Sequence, residues 1–189
     1  MTNKDVLRAL EADAAKDDML ILVDGKDRAI GRATKEQAHV EGLLHRAFSV
    51  VLVRRDGNRT QLLLSRRSFS KYHSGGLWAN SCCSHPREGE EVLAAAARRL
   101  PEELGVTSND LREIGSFAYR ATFENGLIEH EYDHVIMGTC SKELRPNPDE
   151  VCEVRWVDAD DLARELAQAP ELFSAWAPMV LSLALQVAH

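Results

Sequence analysis

The sequence predicts an α/β sandwich built around a mixed, largely antiparallel β-sheet. Two pairs of apolar, β-branched segments are each interrupted by a turn signal, Asp56-Gly57 in the first pair and Asn125-Gly126 in the second, which is typical of β-hairpins. Helical patterns lie before, between and after these pairs. A chain of 189 residues with 44% hydrophobic and 28% charged residues suits one domain over residues 1–189, with residues 1–18 as an extension or helix.

The N-terminal half combines short helix signals with strand signals. Thr34 and Gln37 have the spacing of a capping box, which predicts a short helix over 35–40. An amphipathic pattern predicts another short helix near the start of the chain, and apolar β-branched runs predict strands. These elements are a helix within 3–17 and strands at 19–24, 47–55 and 61–67.

The C-terminal half begins with a long loop over 68–90, and loops of this length inside a compact domain are usually functional. An alanine-rich segment predicts a helix over 90–105 with Gly105 as its C-cap, and Pro101 is expected to kink or restart it. The remaining predicted elements are strands at 111–123, 127–139 and 153–158 and helices at about 159–168 and 174–187.

Composition argues against several classes of partner. A net charge of −7 and a pI near 5.5 are unfavourable for binding nucleic acid or an anionic membrane surface. No apolar run approaches the roughly 20 residues of a membrane span, and the polar, acidic start lacks the pattern of a signal peptide. We therefore expect a cytoplasmic protein whose four cysteines are thiols rather than disulfides.

Histidines and carboxylates occur at spacings that allow a metal site. Side chains alternate along a strand, so Glu129 and Glu131 share one face, where a cation or solvent must offset their repulsion. Cys83 and His85 alternate in the same way if their loop is extended. Together, the three histidines His39, His45 and His85 and the two carboxylates would supply a mixed nitrogen and oxygen site for Zn²⁺, Mn²⁺ or Mg²⁺. The alternative is a solvated acidic face with exposed histidines.

Cations cluster just before the long loop and recur in the helix that follows it. Arg66, Arg67 and Lys71 form the first group, and Arg99 has Glu103 four residues ahead of it. Arginine binds phosphate through two donors at once, so cations beside a divalent ion suit a diphosphate. A solvated basic patch with a surface salt bridge is the alternative.

Several stretches together resemble the type I isopentenyl-diphosphate isomerase family, a divergent branch of the Nudix superfamily. The W-x-N-S-x-C-x-H-P pattern, followed later by Y-R-A and E-x-E, is specific to that family. The resemblance covers roughly 35–157, and FSAWAPM (173–179) adds a weaker match. The stretches that carry it are HRAFSV (45–50), LLLSRRSFSKYHSGGLWANSCCSHP (62–86), RRLPEELG (98–105), YRATFENGLIEHEY (119–132) and NPDEVCEVRWV (147–157).

This resemblance implies a Nudix-like α/β/α sandwich and an enzyme that interconverts isopentenyl and dimethylallyl diphosphate by protonation and deprotonation of the alkene. It implies a small isoprenoid diphosphate as partner and a monomer or weak homodimer. The implied catalytic residues are Cys83, Glu131 and Tyr119. The implied ligands of a six-coordinate Mn²⁺, Zn²⁺ or Mg²⁺ are His39, His45, His85, Glu129 and Glu131, and Glu103 would bind a second Mg²⁺ carried by the diphosphate. The implied substrate contacts are Lys35, Arg67, Lys71, Arg99 and Trp176.

Two other functions remain as alternatives. A Nudix-type diphosphate hydrolase would use the signature G-x5-E-x7-R-E-U-x-E-E-x-G-U, where U is apolar. Anchored on Glu102, Glu103 and Gly105, this chain has Arg99 where the glutamate after the signature arginine belongs. The helix face has thus lost a carboxylate and gained a cation, which favours holding a diphosphate over cleaving it. The third hypothesis is a non-catalytic domain that binds a metal or an anion.

Overall fold

The computed structural model describes residues 19–140 and 142–188, so the helix expected within 3–17 lies outside the described residues. The strands are β1 (Met19–Val23), β2 (Ala29–Thr34), β3 (His45–Asp56), β4 (Arg59–Arg67), β5 (Trp78–Ala79), β6 (Cys82–Ser84), β7 (Arg112–Thr122), β8 (Ile128–Thr139) and β9 (Val151–Asp158). The helices are α1 (Lys35–Glu41), α2 (Val92–Leu104), α3 (Ala159–Gln168) and α4 (Ala177–Val187), with a 3₁₀ turn at Pro170–Leu172.

The sheet is mixed, as the sequence predicts. Its centre is the parallel pair β3 and β8, which run in register from His45 opposite Glu131 to Val53 opposite Thr139. The two predicted hairpins, β3–β4 and β7–β8, are present, and β9 pairs antiparallel with β4. The short strand β6 pairs antiparallel with β3, and β1 with β2.

Helices cover both faces of this sheet. On one face Val51 of β3 belongs to an apolar cluster that includes Leu162 of α3 and Leu181 of α4. On the other face Leu52 packs in a cluster that includes Leu100 of α2. Successive residues of a strand point to opposite faces, so one strand supplies both clusters and the layers form an α/β/α sandwich. Each fully buried leucine contributes about 1.5–3 kcal/mol.

Four elements differ from the sequence-based prediction. Strand β2 was not predicted, because its residues AIGRAT are mostly exposed and include a glycine, so they lack an apolar periodicity. Strands β5 and β6 lie inside the predicted loop over 68–90 and are only two and three residues long. The structure also has one continuous helix through Pro101, so the expected restart is wrong. Pro101 lies in the last turn of α2, where its missing N–H removes a single backbone bond.

The two predicted helix caps are present. Thr34 accepts a hydrogen bond from the backbone N–H of Gln37 at 3.1 Å and opens α1. Gly105 ends α2 in the left-handed conformation, with φ of +68°. Among the described residues, no helix has the length and apolar character needed to span a bilayer.

Gly105→Ala is expected to destabilise the protein more than an alanine at an open turn. A Cβ at Gly105 would lie 2.8 Å from Cβ and 2.9 Å from the carbonyl oxygen of Arg145, in addition to the strain of positive φ. The strain costs about 1–2 kcal/mol, and forcing Arg145 aside adds about 1–3 kcal/mol. Gly57→Ala is the matched control, since Gly57 has φ of +58° and nothing within 4 Å. Urea unfolding measures both, and equal losses would contradict the expectation.

Candidate active site

A cleft at one side of the sheet collects the predicted site residues. Strand register places them there, because Glu131 of β8 lies opposite His45 of β3 on one side and opposite Tyr119 of β7 on the other. Cys83 of β6 lies opposite Ser49 of β3. The cavity has a volume of about 320 Å³, at the small end of ligand pockets. Its predicted lining residues are Lys35, Arg67, Lys71, Cys83, His85, Arg99, Glu103, Tyr119, Glu129, Glu131 and Trp176.

The two predicted ligands outside that lining, His39 and His45, lie directly behind it and are fully buried. His39 Nδ1 is 2.6 Å from the carbonyl oxygen of Lys35, and His45 Nδ1 is 2.9 Å from that of Leu43. A carbonyl oxygen only accepts, so each Nδ1 carries the donating proton. In the neutral rings the Nε2 atoms therefore present bare lone pairs to the cleft.

These lone pairs face carboxylate oxygens. His39 Nε2 is 3.0 Å from Oε1 of Glu129, and His45 Nε2 is 3.6 Å from Oε1 of Glu131. His85 Nε2 is 3.0 Å from the same Glu131 oxygen. Acceptors that face acceptors in a buried place repel unless a cation or a proton lies between them. Two of the buried atoms, His45 Nε2 and Oε2 of Glu129, have no hydrogen-bond partner.

A divalent cation fits this arrangement. Ligand atoms of His39, His45 and His85 lie within 4.8 Å of one another, as do those of His45, Glu129 and Glu131 and those of His39, His73 and Glu129. Imidazole nitrogen and carboxylate oxygen together suit Zn²⁺ or Mn²⁺, and backbone acceptors on Nδ1 are the usual means of fixing the ligating tautomer. The histidines and glutamates thus form groups able to hold a metal.

The pKa shifts of His85 and Glu129 agree with ligation, whereas the charge of Glu129 outweighs burial and raises the pKa of His39, so a metal would displace a proton there. Burial lowers the pKa of His85 to about 4, despite its bond to Glu131, so the ring is neutral near pH 7. Burial opposes ionisation of Glu129, but His39 and His73 hold the pKa of that carboxyl well below its usual value. Neutral imidazoles and ionised carboxylates are the forms that bind metal.

The thiol of Cys83 is held by three side chains. It donates to Oδ1 of Asn80 at 3.2 Å, it accepts from Nε1–H of Trp176 at 3.2 Å, and Oγ of Ser49 lies at 3.5 Å. Asn80 is fixed in turn, because its amide nitrogen donates to the carbonyl oxygens of Val50 and Cys82. Burial, together with the nearby Asp133, raises the pKa of Cys83 to about 12. The sulfur therefore keeps its proton near neutrality.

Tyr119 and Glu131 form a short hydrogen bond in the cleft. The Tyr119 hydroxyl donates to Oε2 of Glu131 at 2.5 Å. Burial, together with the charges of Glu131 and Glu129, raises the pKa of Tyr119 well above its usual value, so the phenol remains a donor. Thus Oε1 of Glu131 faces the histidines, and Oε2 accepts from the phenol.

Cations and carboxylates also pair along the cleft. Arg99 donates to Oε1 of Glu103 at 2.7 Å and also contacts Glu102 at 2.9 Å. Lys71 Nζ is 2.5 Å from a carboxylate oxygen of Glu150. The guanidinium of Arg67 lies 5.1 Å from the ring centroid of Trp176. The structure therefore brings the predicted diphosphate contacts to one place beside the predicted metal ligands.

Three polar residues that line the cleft, and Asp133 behind it, were not predicted from the sequence. Asn80 lies within the W-x-N-S-x-C-x-H-P pattern, which was the available signal for it. His73 and Glu150 come from irregular segments, where no periodicity indicates direction. Asp133 follows Glu129 and Glu131 at the same two-residue spacing on β8, and continued alternation would have found it.

The fold and the cleft belong to a recognised class. A model of the NUDIX domain matches residues 43–177. A solved protein from Deinococcus radiodurans superposes with a TM-score of 0.67 at 20% identity, covering 90% of this chain and 99% of that one. The MutT protein from Methanosarcina mazei Go1 superposes with a TM-score of 0.60 at 18% identity, covering 77% and 96%. The chain therefore has the Nudix fold.

Similarity in sequence narrows this class to one family. An isopentenyl-diphosphate Delta-isomerase from Photobacterium profundum is 48% identical over 167 residues, which are 87% of this chain and 93% of that protein. One from Serratia proteamaculans is 48% identical over 160 residues, which are 85% and 87%. The chain belongs to the isopentenyl-diphosphate Delta-isomerase family of Nudix proteins, and the resemblance seen in its motifs is confirmed.

Adding Zn²⁺ or Mn²⁺ to metal-stripped protein is expected to raise its melting temperature. A ligand that binds only the folded state at about 100 times its Kd stabilises by about 2.7 kcal/mol, which corresponds to about 5–10 °C for a chain of this size. The physical reason is relief of the two unpartnered atoms, His45 Nε2 and Oε2 of Glu129. Differential scanning calorimetry measures the shift. Ca²⁺ is the control, since it prefers all-oxygen sites, and an equal shift with Ca²⁺ would contradict the prediction.

Proposed function

We propose that this protein interconverts isopentenyl diphosphate and dimethylallyl diphosphate in isoprenoid biosynthesis. Membership of the isomerase family is the observation that carries this conclusion. The cleft agrees with it, because a protonated thiol and a carboxylate paired with a phenol line one small cavity.

The reaction moves a double bond by one position. A proton adds to the terminal carbon of the alkene, a tertiary carbocation forms, and a second proton leaves the neighbouring methylene. The enzyme therefore needs one acid and one base on either side of a flat five-carbon group. We assign these roles to Cys83 and Glu131, which lie on different strands of the same cleft.

Cys83 is suited to hold a proton at the sulfur. Its raised pKa keeps the thiol neutral, and its bonds to Asn80 and Trp176 fix the direction of the sulfur. Trp176 is 4% exposed and, with Nε1–H directed at the sulfur, covers this side of the cavity. An indole face next to a carbocation stabilises it by about 0.5–2 kcal/mol, and a covered cavity keeps out the water that would quench it.

Glu131 is suited to exchange a proton with the opposite side of the alkene. Tyr119 donates to Oε2 and so orients the carboxylate, while His45 and His85 approach Oε1. We propose that His39, His45, His85, Glu129 and Glu131 hold one Mn²⁺, Zn²⁺ or Mg²⁺. Such an ion, when bound, supplies positive charge that lowers the proton affinity of its carboxylate ligands.

The diphosphate serves to position the alkene. Lys35, Arg67, Lys71 and Arg99 line the cavity, and Glu103 lies beside Arg99, where it can hold an Mg²⁺ that accompanies the diphosphate. Binding energy gained at these cations holds the five-carbon group between the acid and the base. We infer that the protein acts on this small molecule in the cytoplasm as a monomer or weak homodimer, with no nucleic-acid or membrane partner.

Hydrolysis of a diphosphate is the second candidate, and the helix α2 disfavours it. Arg99 contacts both Glu102 and Glu103, at 2.9 and 2.7 Å, so a cation lies on the helix face where a hydrolase would have a further carboxylate to gather several metal ions. A binding domain without activity is the third candidate, and the polar contacts of Cys83 and Glu131 disfavour it.

Proton and phosphorus NMR distinguish the three functions in one experiment. Purified protein is incubated with Mg²⁺, Mn²⁺ or Zn²⁺ and isopentenyl diphosphate in deuterated water. Dimethylallyl diphosphate with deuterium in a methyl group is the expected product. Release of phosphate or pyrophosphate would instead identify a hydrolase, and substrate that is unchanged with every metal would leave only the binding domain.

A further inference from the structure

A fourth histidine contacts the predicted metal site from the loop between β4 and β5. His73 Nε2 lies 2.6 Å from Oε1 of Glu129, closer than the 3.0 Å of His39 Nε2 to the same oxygen. Both His73 and Glu129 are buried, with 6% and 4% of their surface exposed. A buried contact this short between a ring nitrogen and a carboxylate requires a proton between them.

The ring of His73 is held by aromatic neighbours. It stacks on Phe123 with centroids 4.4 Å apart and an angle of 10° between the planes. Tyr72 and Trp176 approach its ring with centroids at 4.6 and 5.9 Å, both nearly perpendicular. These contacts fix the plane of the imidazole, so Nε2 remains directed at Glu129.

The Nδ1 atom distinguishes His73 from the predicted ligands. In His39 and His45 this atom faces a carbonyl oxygen, so it must donate and Nε2 must be bare. In His73 it lies 3.2 Å from the hydroxyl of Ser74, and a hydroxyl can donate as well as accept. His73 can therefore take the opposite tautomer, with the proton on Nε2.

We propose that His73 is a positioning residue for Glu129 and not a metal ligand. Its Nε2–H donates to Oε1, which leaves Oε2, a buried atom without a hydrogen-bond partner, to bind the metal beside His45 Nε2. This inference rests on the proposed metal site. Hydrogen bonds that orient a ligating carboxylate typically change metal affinity by about 10–100-fold when they are removed.

Zinc affinity of metal-stripped protein tests the proposal, measured by competition with a chromogenic chelator. His73→Leu removes the donor and is expected to weaken Zn²⁺ binding by about 10–100-fold. His73→Gln places an amide N–H near the position of Nε2 and is expected to restore most of that affinity. His134→Gln is the matched control, because His134 is a buried histidine of β8 that contacts Asp27 and Glu113 away from the cleft.

X-ray absorption of the zinc protein counts the imidazole ligands independently of any variant. We expect the same count in wild type and in His73→Leu, with no more than three imidazoles on the metal. A fourth imidazole in the wild type, or the loss of one in His73→Leu, would show that His73 is a ligand and overturn the proposal. Equal zinc affinity in wild type and His73→Leu, or no rescue by His73→Gln, would do so too.

These outcomes separate this inference from the function on which it rests. Wild-type protein that binds no Zn²⁺ would refute the metal site itself. Tight binding that is indifferent to residue 73 would leave the metal site standing and remove only the role of His73. Circular dichroism of each metal-free variant verifies that the fold is retained.

Discussion

Cys83→Ala is expected to lower kcat for isopentenyl diphosphate isomerisation by about 10²–10⁴-fold, the usual contribution of a positioned acid or base. The substitution removes the only atom of Cys83 that carries a transferable proton, and it leaves Asn80 Oδ1 and Trp176 Nε1 without their shared partner. KM should change little, because Cys83 is not among the predicted diphosphate contacts. Initial rates measured by conversion of labelled substrate give both parameters.

Two controls separate loss of the proton carrier from loss of packing. Cys140→Ala removes another buried thiol, outside the cleft, and should retain the wild-type kcat. Cys83→Ser keeps a hydroxyl that can bond to Asn80, so it should bind substrate normally and recover part of kcat at most. If Cys83→Ala retains wild-type kcat, Cys83 is not the acid or base.

The sequence predicts those parts of the fold and of the candidate site whose residues follow a periodic pattern. The two hairpins carry strong apolar alternation and well-defined turns, and both are present. Strand β2 has neither, because it is an exposed edge whose hydrogen bonds to β1 determine its conformation. The residues of β2 do not themselves indicate that pairing.

Side chains in the cleft are likewise predictable only where they follow a periodic pattern. Alternation placed Glu129 and Glu131 on one face, and register then brought His45 beside Glu131. His73 reaches Glu129 across 56 positions from an irregular loop, and its direction depends on stacking against Phe123. Glu150 likewise reaches Lys71 from outside any helix or strand. Such contacts follow from tertiary packing, and sequence motifs indicate them only when the motif includes the residue.

Glu131→Gln is expected to be at least as damaging as Cys83→Ala, with a fall in kcat of about 10²–10⁴-fold. The two oxygens of Glu131 have different tasks, since Oε1 faces His45 and His85 while Oε2 accepts from Tyr119 at 2.5 Å. An amide keeps the shape of the side chain but loses the charge and the site that takes up the proton. Metal affinity and catalysis should therefore fall together.

Glu129→Gln distinguishes the metal ligand from the proton carrier. Glu129 shares the strand, the face and the burial of Glu131, but its carboxylate faces Nε2 of His39 and of His73 rather than the hydroxyl of Tyr119. Both variants should bind Zn²⁺ or Mn²⁺ more weakly than wild type. At metal concentrations that saturate each variant, the kcat of Glu131→Gln should remain at least about tenfold below that of Glu129→Gln, because only Glu131 carries the proton. Tyr119→Phe should lower kcat without lowering metal affinity, because the phenol contacts only Oε2 of Glu131. Equal rates for the two glutamine variants at saturating metal would assign both carboxylates to the metal and leave the proton transfer to another group.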